Sequence, residues 1–190
     1  MFDKDRFIDD CRTAVKRSDA QAAIRELVER AVREPSQLVR ALGEPSRSGV
    51  ETLYRGDDLT ILNLSWGPQM FMRPHDHRMW AVIGIYGGTE QNTFFRRAEQ
   101  GLAQHGTKEL GIGDVAVLGA SIIHAVRNPL DGITSAIHVY GGDFFDTPRS
   151  EWNADTHVEQ PYDVAHTLKA FEDANARLAE LRRAVTPGAR

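Results

Sequence analysis

From Phe2 to Leu42, apolar residues recur three and four positions apart: Phe7, Cys11, Ala14 and Val15, then Ile24, Leu27, Val28, Ala31 and Val32. That period draws one apolar stripe along a helix. Ser18-Asp19 offers a cap for the second helix, Glu34-Pro35 stops it, and Gly43 closes a third short one. Residues 1–45 are therefore expected to form a helical cap.

From about Gly49 the period changes to two, and turn residues return at short intervals. The pattern predicts strands over Val50–Arg55, Leu59–Trp66, Met79–Tyr86, Thr89–Arg97, about Lys108–Leu110, Val115–Leu118, Ile123–Asn128 and Ile133–Tyr140. Gly56-Asp57-Asp58, Gly87-Gly88, Gly111-Ile112-Gly113-Asp114 and Pro129-Leu130-Asp131-Gly132 supply the turns. Short strands without intervening helices imply an all-β core of jelly-roll type, not a parallel α/β sheet. An irregular stretch reaches Trp152. A last helix is expected at about 161–185, with Val164, Leu168, Phe171, Leu178 and Leu181 as its stripe, and a disordered tail over Thr186–Arg190.

The whole chain, 190 residues, suits one domain: helical cap, a barrel with its mouth loop over 49–152, and the C-terminal helix. Its 23 basic and 27 acidic residues leave a net charge of −4, which points neither to a nucleic-acid surface nor to a polybasic membrane patch. Met1-Phe2-Asp3-Lys4-Asp5 has no signal-peptide character and no apolar run is long enough to span a bilayer, so a soluble cytoplasmic protein is the expectation. Cys11 is the sole cysteine, which excludes an internal disulfide and a thiolate metal cluster. It lies on the apolar stripe and reads as a packing residue, so any metal must be held by nitrogen and oxygen.

The chemistry concentrates in Pro74-His75-Asp76-His77. Two histidines one residue apart point to the same side of an extended strand and make a pincer for one ion. A Gly113-Asp114 turn followed by an apolar run brings a third imidazole, His124, four residues before Asn128. Three neutral imidazoles on one side of a divalent ion leave about three of six octahedral positions free for reactants. His138 and Tyr140 are also two apart on one strand and can face the barrel interior together. Trp80, Met70, Met72, Phe71 and Ile122 suit either a pocket wall or the core, and Trp152 either covers the mouth or anchors its loop.

The His-x-His pair after Gly67, with Gly113-Asp114, His124 and Asn128, resembles the cupin superfamily. More narrowly, Trp66-Gly67-Pro68, His75-Asp76-His77, His124 and Ile137-His138-Val139-Tyr140-Gly141 are similar to bacterial thiol dioxygenases related to cysteine dioxygenase and 3-mercaptopropionate dioxygenase. The similarity runs roughly from Tyr54 to Trp152.

It implies a double-stranded β-helix in which His75, His77 and His124 hold Fe(II), although the same ligands also take Ni, Zn or Mn. Many cupins add a glutamate ligand where Ala81 and Val82 stand here, and its absence matches the three-histidine thiol dioxygenases. The resemblance further implies that Tyr140 offers its hydroxyl to dioxygen or to the substrate carboxylate, oriented by His138. The family's relay serine is replaced by Ala136, and Val82 occupies the place of the crosslinking cysteine of the mammalian enzymes. Arg149 corresponds to the carboxylate-gripping arginine of 3-mercaptopropionate dioxygenases, and Tyr54-Arg55 lies near the tyrosine and arginine of cysteine dioxygenase.

The implied reaction is oxidation of a small thiol carboxylic acid by O2 to its sulfinate. The alternatives are another metal-dependent cupin enzyme (a different oxygenase, a lyase or an isomerase) or a non-enzymatic small-molecule binder. Whether the chain forms a homo-oligomer stays open, since cupins often pair edge strands.

Overall fold

The structure, a computed structural model, describes residues 1–185. Among the described residues, helices α1 (Lys4–Ala14), α2 (Ala20–Val32) and α3 (Pro35–Leu42) precede eleven strands, and α4 (Val164–Val185) follows them. The strands are β1 (Gly49–Arg55), β2 (Thr60–Trp66), β3 (Phe71–Asp76), β4 (Ala81–Gly87), β5 (Glu90–Ala98), β6 (Gly101–Leu110), β7 (Val115–Leu118), β8 (Ile123–Arg127), β9 (Thr134–Tyr140), β10 (Ser150–Trp152) and β11 (Glu159–Pro161). The expected tail over Thr186–Arg190 lies outside the described residues.

One sheet runs β1-β2-β9-β4-β7 and the other β11-β10-β3-β8-β5-β6, with antiparallel pairing throughout. Neighbours distant in sequence, such as β2 beside β9 and β3 beside β8, define the jelly roll that the alternation predicts. The middle of the first sheet is buried on both faces, and β9 is buried at every position. Its inward side chains, among them Leu62, Leu64, Ile83 and Ile85, fill the barrel. Its outward ones, Ile61, Val82, Ile137 and Val139, meet Ile24, Val28 and Val32 of α2. Gly84 permits that closeness, because a Cβ there would sit 2.4 Å from Val28 and 2.7 Å from Val32. Cys11 is fully buried in this layer, and burial pushes its thiol up to about 12, as suits a packing residue.

Four strands differ from the sequence expectation. β3, which carries His75, is absent from the predicted strands: Pro74 interrupts its alternation, and its pairing with β8 is irregular between Met72 and His75. β6 begins at Gly101 instead of about Lys108, because this outer strand of its sheet is mostly polar and exposed and shows no apolar alternation. β10 and β11 are short and formed by pairing alone, Glu151 lying opposite His75. Pro35, read as a stop for α2, also starts α3 at its first turn.

α4 covers the seam between β2 and β3. The Ser48 amide donates to Asn175 Oδ1 at 2.8 Å, Asn175 Nδ2 donates back to the Ser48 carbonyl at 3.1 Å, and Arg177 donates to the Pro68 carbonyl at 2.7 Å. Phe171 stacks on Trp66 with ring centroids 5.9 Å apart.

Candidate metal centre

His75 and His124 sit directly opposite one another in the β3–β8 pairing, and His77 follows just beyond the end of β3. All three are buried, and one ring nitrogen of each lies within 4.8 Å of the others. His77 Nε2 is 3.3 Å from both His75 Nε2 and His124 Nε2. These are the residues the sequence singles out.

The protons on these rings can be placed by their partners. His75 Nδ1 lies 2.8 Å from the Arg73 carbonyl, an acceptor only, so Nδ1 carries the hydrogen and Nε2 is bare. His124 Nδ1 lies 2.7 Å from Asn92 Oδ1, whose amide nitrogen donates to Glu90 Oε1 at 2.8 Å. His124 Nε2 is therefore bare too. Burial holds His75 down at about 4 and pushes His77 and His124 well below the ordinary imidazole range. Converging lone pairs thus share at most the single Nε2 hydrogen of His77. A divalent ion at about 2.1 Å from each nitrogen fits such a donor set, and the hydrogen-bonded Nδ1 atoms are the outer support that metal-bound imidazoles use.

Glu90 and Asn92 do not figure in the sequence reading, yet both are buried beneath the imidazoles. Glu90 accepts from Trp66 Nε1 at 2.8 Å as well as from Asn92, and burial raises its carboxyl above the usual range. The available signal was polar residues at positions 90 and 92 on the inward phase of a strand that continues to Phe94.

His138 and Tyr140 share the inward face of β9, with His138 Nδ1 2.9 Å from the Tyr140 hydroxyl. Tyr140 packs on His77 and on Phe144, at centroid distances of 5.1 and 4.3 Å. Burial keeps His138 neutral, at about 3, and raises the Tyr140 phenol, so this pair holds its protons. His138 Nε2 is buried without a hydrogen-bond partner among the described residues, and Glu90 Oε2 stands 3.9 Å away. Ala136 leaves no hydroxyl at the expected relay position, and the carboxylate of Glu90 stands near His138 instead.

Arg149 reaches the same cavity. Its guanidinium is sandwiched between Phe144 at 3.9 Å and Tyr162 at 4.1 Å, and it donates to the Phe144 carbonyl. Its Nε is buried and has no hydrogen-bond partner among the described residues. Tyr54 and Arg55 are elsewhere. Arg55 is bound to Asp143 and Asp146 and so tethers the mouth loop that bears Phe144, while Tyr54 packs with the helical cap under Arg12. Neither lines the cavity, whose volume is about 800 Å³.

Of the residues read as a pocket wall, Met72 lines it; Met70 and Ile122 pack in the barrel core, Phe71 is exposed and Trp80 packs on the helical side. Trp152 anchors its loop against Leu102 and Ile123, under Arg97. Val82 faces the helices, and Ala81 is the inward residue opposite Tyr140. Asn128 is a turn hub, donating to the Trp66 and Gly67 carbonyls and accepting from the Leu130 amide. No helix among the described residues is long and apolar enough to cross a membrane.

No family model matches the chain. Among solved structures it is similar to an RmlC-like cupin family protein with a double-stranded β-helix fold from Methanocaldococcus jannaschii, at 13% identity over 54% of this chain and 86% of the other, with a TM-score of 0.45. It is also similar to the DMSP lyase DddQ of Ruegeria pomeroyi, at 19% identity over 57% of this chain and 53% of the lyase, TM-score 0.45. A mutant oxalate decarboxylase of Bacillus subtilis matches at 16% identity over 55% of this chain and 28% of the decarboxylase, TM-score 0.43. The chain thus spans about half of the lyase and less of the decarboxylase, and the jelly-roll assignment stands on its own strand order.

Proposed function

We propose that this chain is a cupin enzyme, an Fe(II)-dependent thiol dioxygenase that converts a thiol carboxylic acid to its sulfinate. The carrying observation is the donor set: among the described residues, three buried imidazoles with no carboxylate among them, in one cavity with a tyrosine hydroxyl and an arginine whose Nε has no partner there. A bound ion would supply open positions at which a thiolate and O2 meet. In the balanced reaction R–S⁻ + O2 → R–SO2⁻, both oxygen atoms end on sulfur and no external reductant is consumed.

The residues divide the remaining work. Arg149 grips the carboxylate, and its rigid seat between two aromatic rings fixes the direction of that grip. The phenol of Tyr140 and the imidazole of His138 hold one hydrogen between them at 2.9 Å. With a proton on His138 Nδ1 the hydroxyl hydrogen is free for the substrate; with it on Nε2, toward Glu90, the hydroxyl donates to His138. Tight burial excludes water from both. The DMSP lyase and oxalate decarboxylase likenesses make other metal-dependent chemistry the second reading, favoured by Ala136 in place of the relay serine.

The test is oxygen consumption by Fe(II)-loaded protein with cysteine, 3-mercaptopropionate and larger thiol acids, with the sulfinate identified by mass. A His124→Ala control should consume none. Equal uptake by that variant, or none by either protein with any thiol, overturns the reading.

A further inference from the structure

The cavity is larger than a three-carbon acid needs. At about 800 Å³ it falls in the range of roughly 300–1,000 Å³ that encloses much bigger ligands. Its walls include His77 and Arg149 together with buried Leu64 and Phe171 and exposed Val50 and Leu168.

The lining includes four exposed apolar side chains where water would favour polar groups. Val50 (44% exposed), Phe145 (45%), Val164 (59%) and Leu168 (57%) all line the cavity and all face solvent. Val164 and Leu168 are four apart, one turn of α4, and so form a single strip leading inward to buried Phe171. The helix is pinned in place by the Ser48–Asn175 hydrogen bonds, so the strip is a fixed wall. Charged groups along the linker and rim are Glu44, Glu51 and Glu172 against Arg47, which disfavours a second anion at the outer end.

We infer that the ligand is amphipathic: its thiol and carboxylate lie at the imidazole end beside Arg149, and an uncharged apolar chain several methylenes long lies along Phe171, Leu168 and Val164. The inference deepens the thiol dioxygenase reading and rests on it for the thiol; the chain rests on the groove.

Binding and turnover separate the two. Metal-loaded protein under argon is titrated calorimetrically with propanoate, hexanoate and octanoate, and oxygen uptake is compared for 2-mercaptopropanoate and 2-mercaptooctanoate. Affinity should rise about three- to fourfold for each methylene that enters the groove, and kcat/KM should favour the longer thiol by about tenfold or more. Leu168→Asp, and separately Val164→Asp, should each cut the octanoate-to-propanoate affinity ratio several-fold.

Equal affinity for the three acids, binding of none of them, or a ratio unchanged in both variants overturns the inference. Turnover of 2-mercaptopropanoate without chain-length dependence leaves the thiol reading standing and removes the apolar chain. Chain-length-dependent binding without oxygen uptake from either thiol does the reverse.

Discussion

The N-terminal helices and the C-terminal helix carry the same kind of apolar stripe and are packed to different ends. In α1 to α3 the stripe is sealed: Cys11, Ile24, Val28, Val32 and Leu38 have no exposed surface. In α4 only the middle is sealed, at Phe171, Ala174 and Leu178, while Val164 and Leu168 stay more than half exposed. Both segments read alike in sequence, since periodicity reports a stripe and not what covers it. One side is a wall, and the other is the border of the cavity that holds the imidazoles.

If that contrast is right, a charge on the sealed side should be the most damaging change. Val28→Asp buries a carboxylate against Gly84 and the first sheet, and should cost about 4 kcal/mol or more, read as a shift of the urea midpoint.

Acid should act on the cavity side instead. His75, held at about 4, takes its proton in the unfolded chain near 6.5. Between those values the unfolded state binds more protons, so stability is full above pH 6.5 and falls as pH drops toward 4, by about 3 kcal/mol from this group. His138, held at about 3, adds in the same direction, and Glu90, raised above 4.5, opposes it. Urea melts of the metal-free protein across pH 7 to 4 check the slope; a flat profile breaks the contrast.

Asn92→Ala removes the acceptor that holds His124 Nδ1, and should weaken metal affinity about 10- to 100-fold with the fold intact, measured by competition with a chelating dye. Leu168→Asp is the smallest. On a face already open to water it should move stability by no more than about 0.5 kcal/mol, and a large loss would mean that the strip is core after all.

Much of this was legible beforehand for a physical reason. His75, His77, His124, His138 and Tyr140 stand out because few residue types perform that chemistry and two-residue spacing puts each pair on one face. Strands rich in apolar and β-branched residues were equally readable, as in β9. Arg149, which only the family resemblance suggested, does reach the cavity. Arg55 did not follow, because its carboxylate partners, Asp143 and Asp146, lie in a loop whose position no local pattern encodes. Glu90 and Asn92 escaped notice for the converse reason. A polar residue on an inward phase looks like a surface residue until the neighbours that satisfy it, Trp66 and His124, arrive from other strands.

By itself the chain determined where it is helical, where most of its strands run, and which side chains are fit to hold an ion, because these follow from short-range periodicity and the donor atoms of single residues. Only the tertiary structure decided where β3 begins and ends, that three imidazoles meet, that Glu90 lies beneath them, and that α4 leaves its first apolar turns uncovered. Each of these depends on contacts between residues far apart in sequence, whose free energy appears only when the two sheets close on one another.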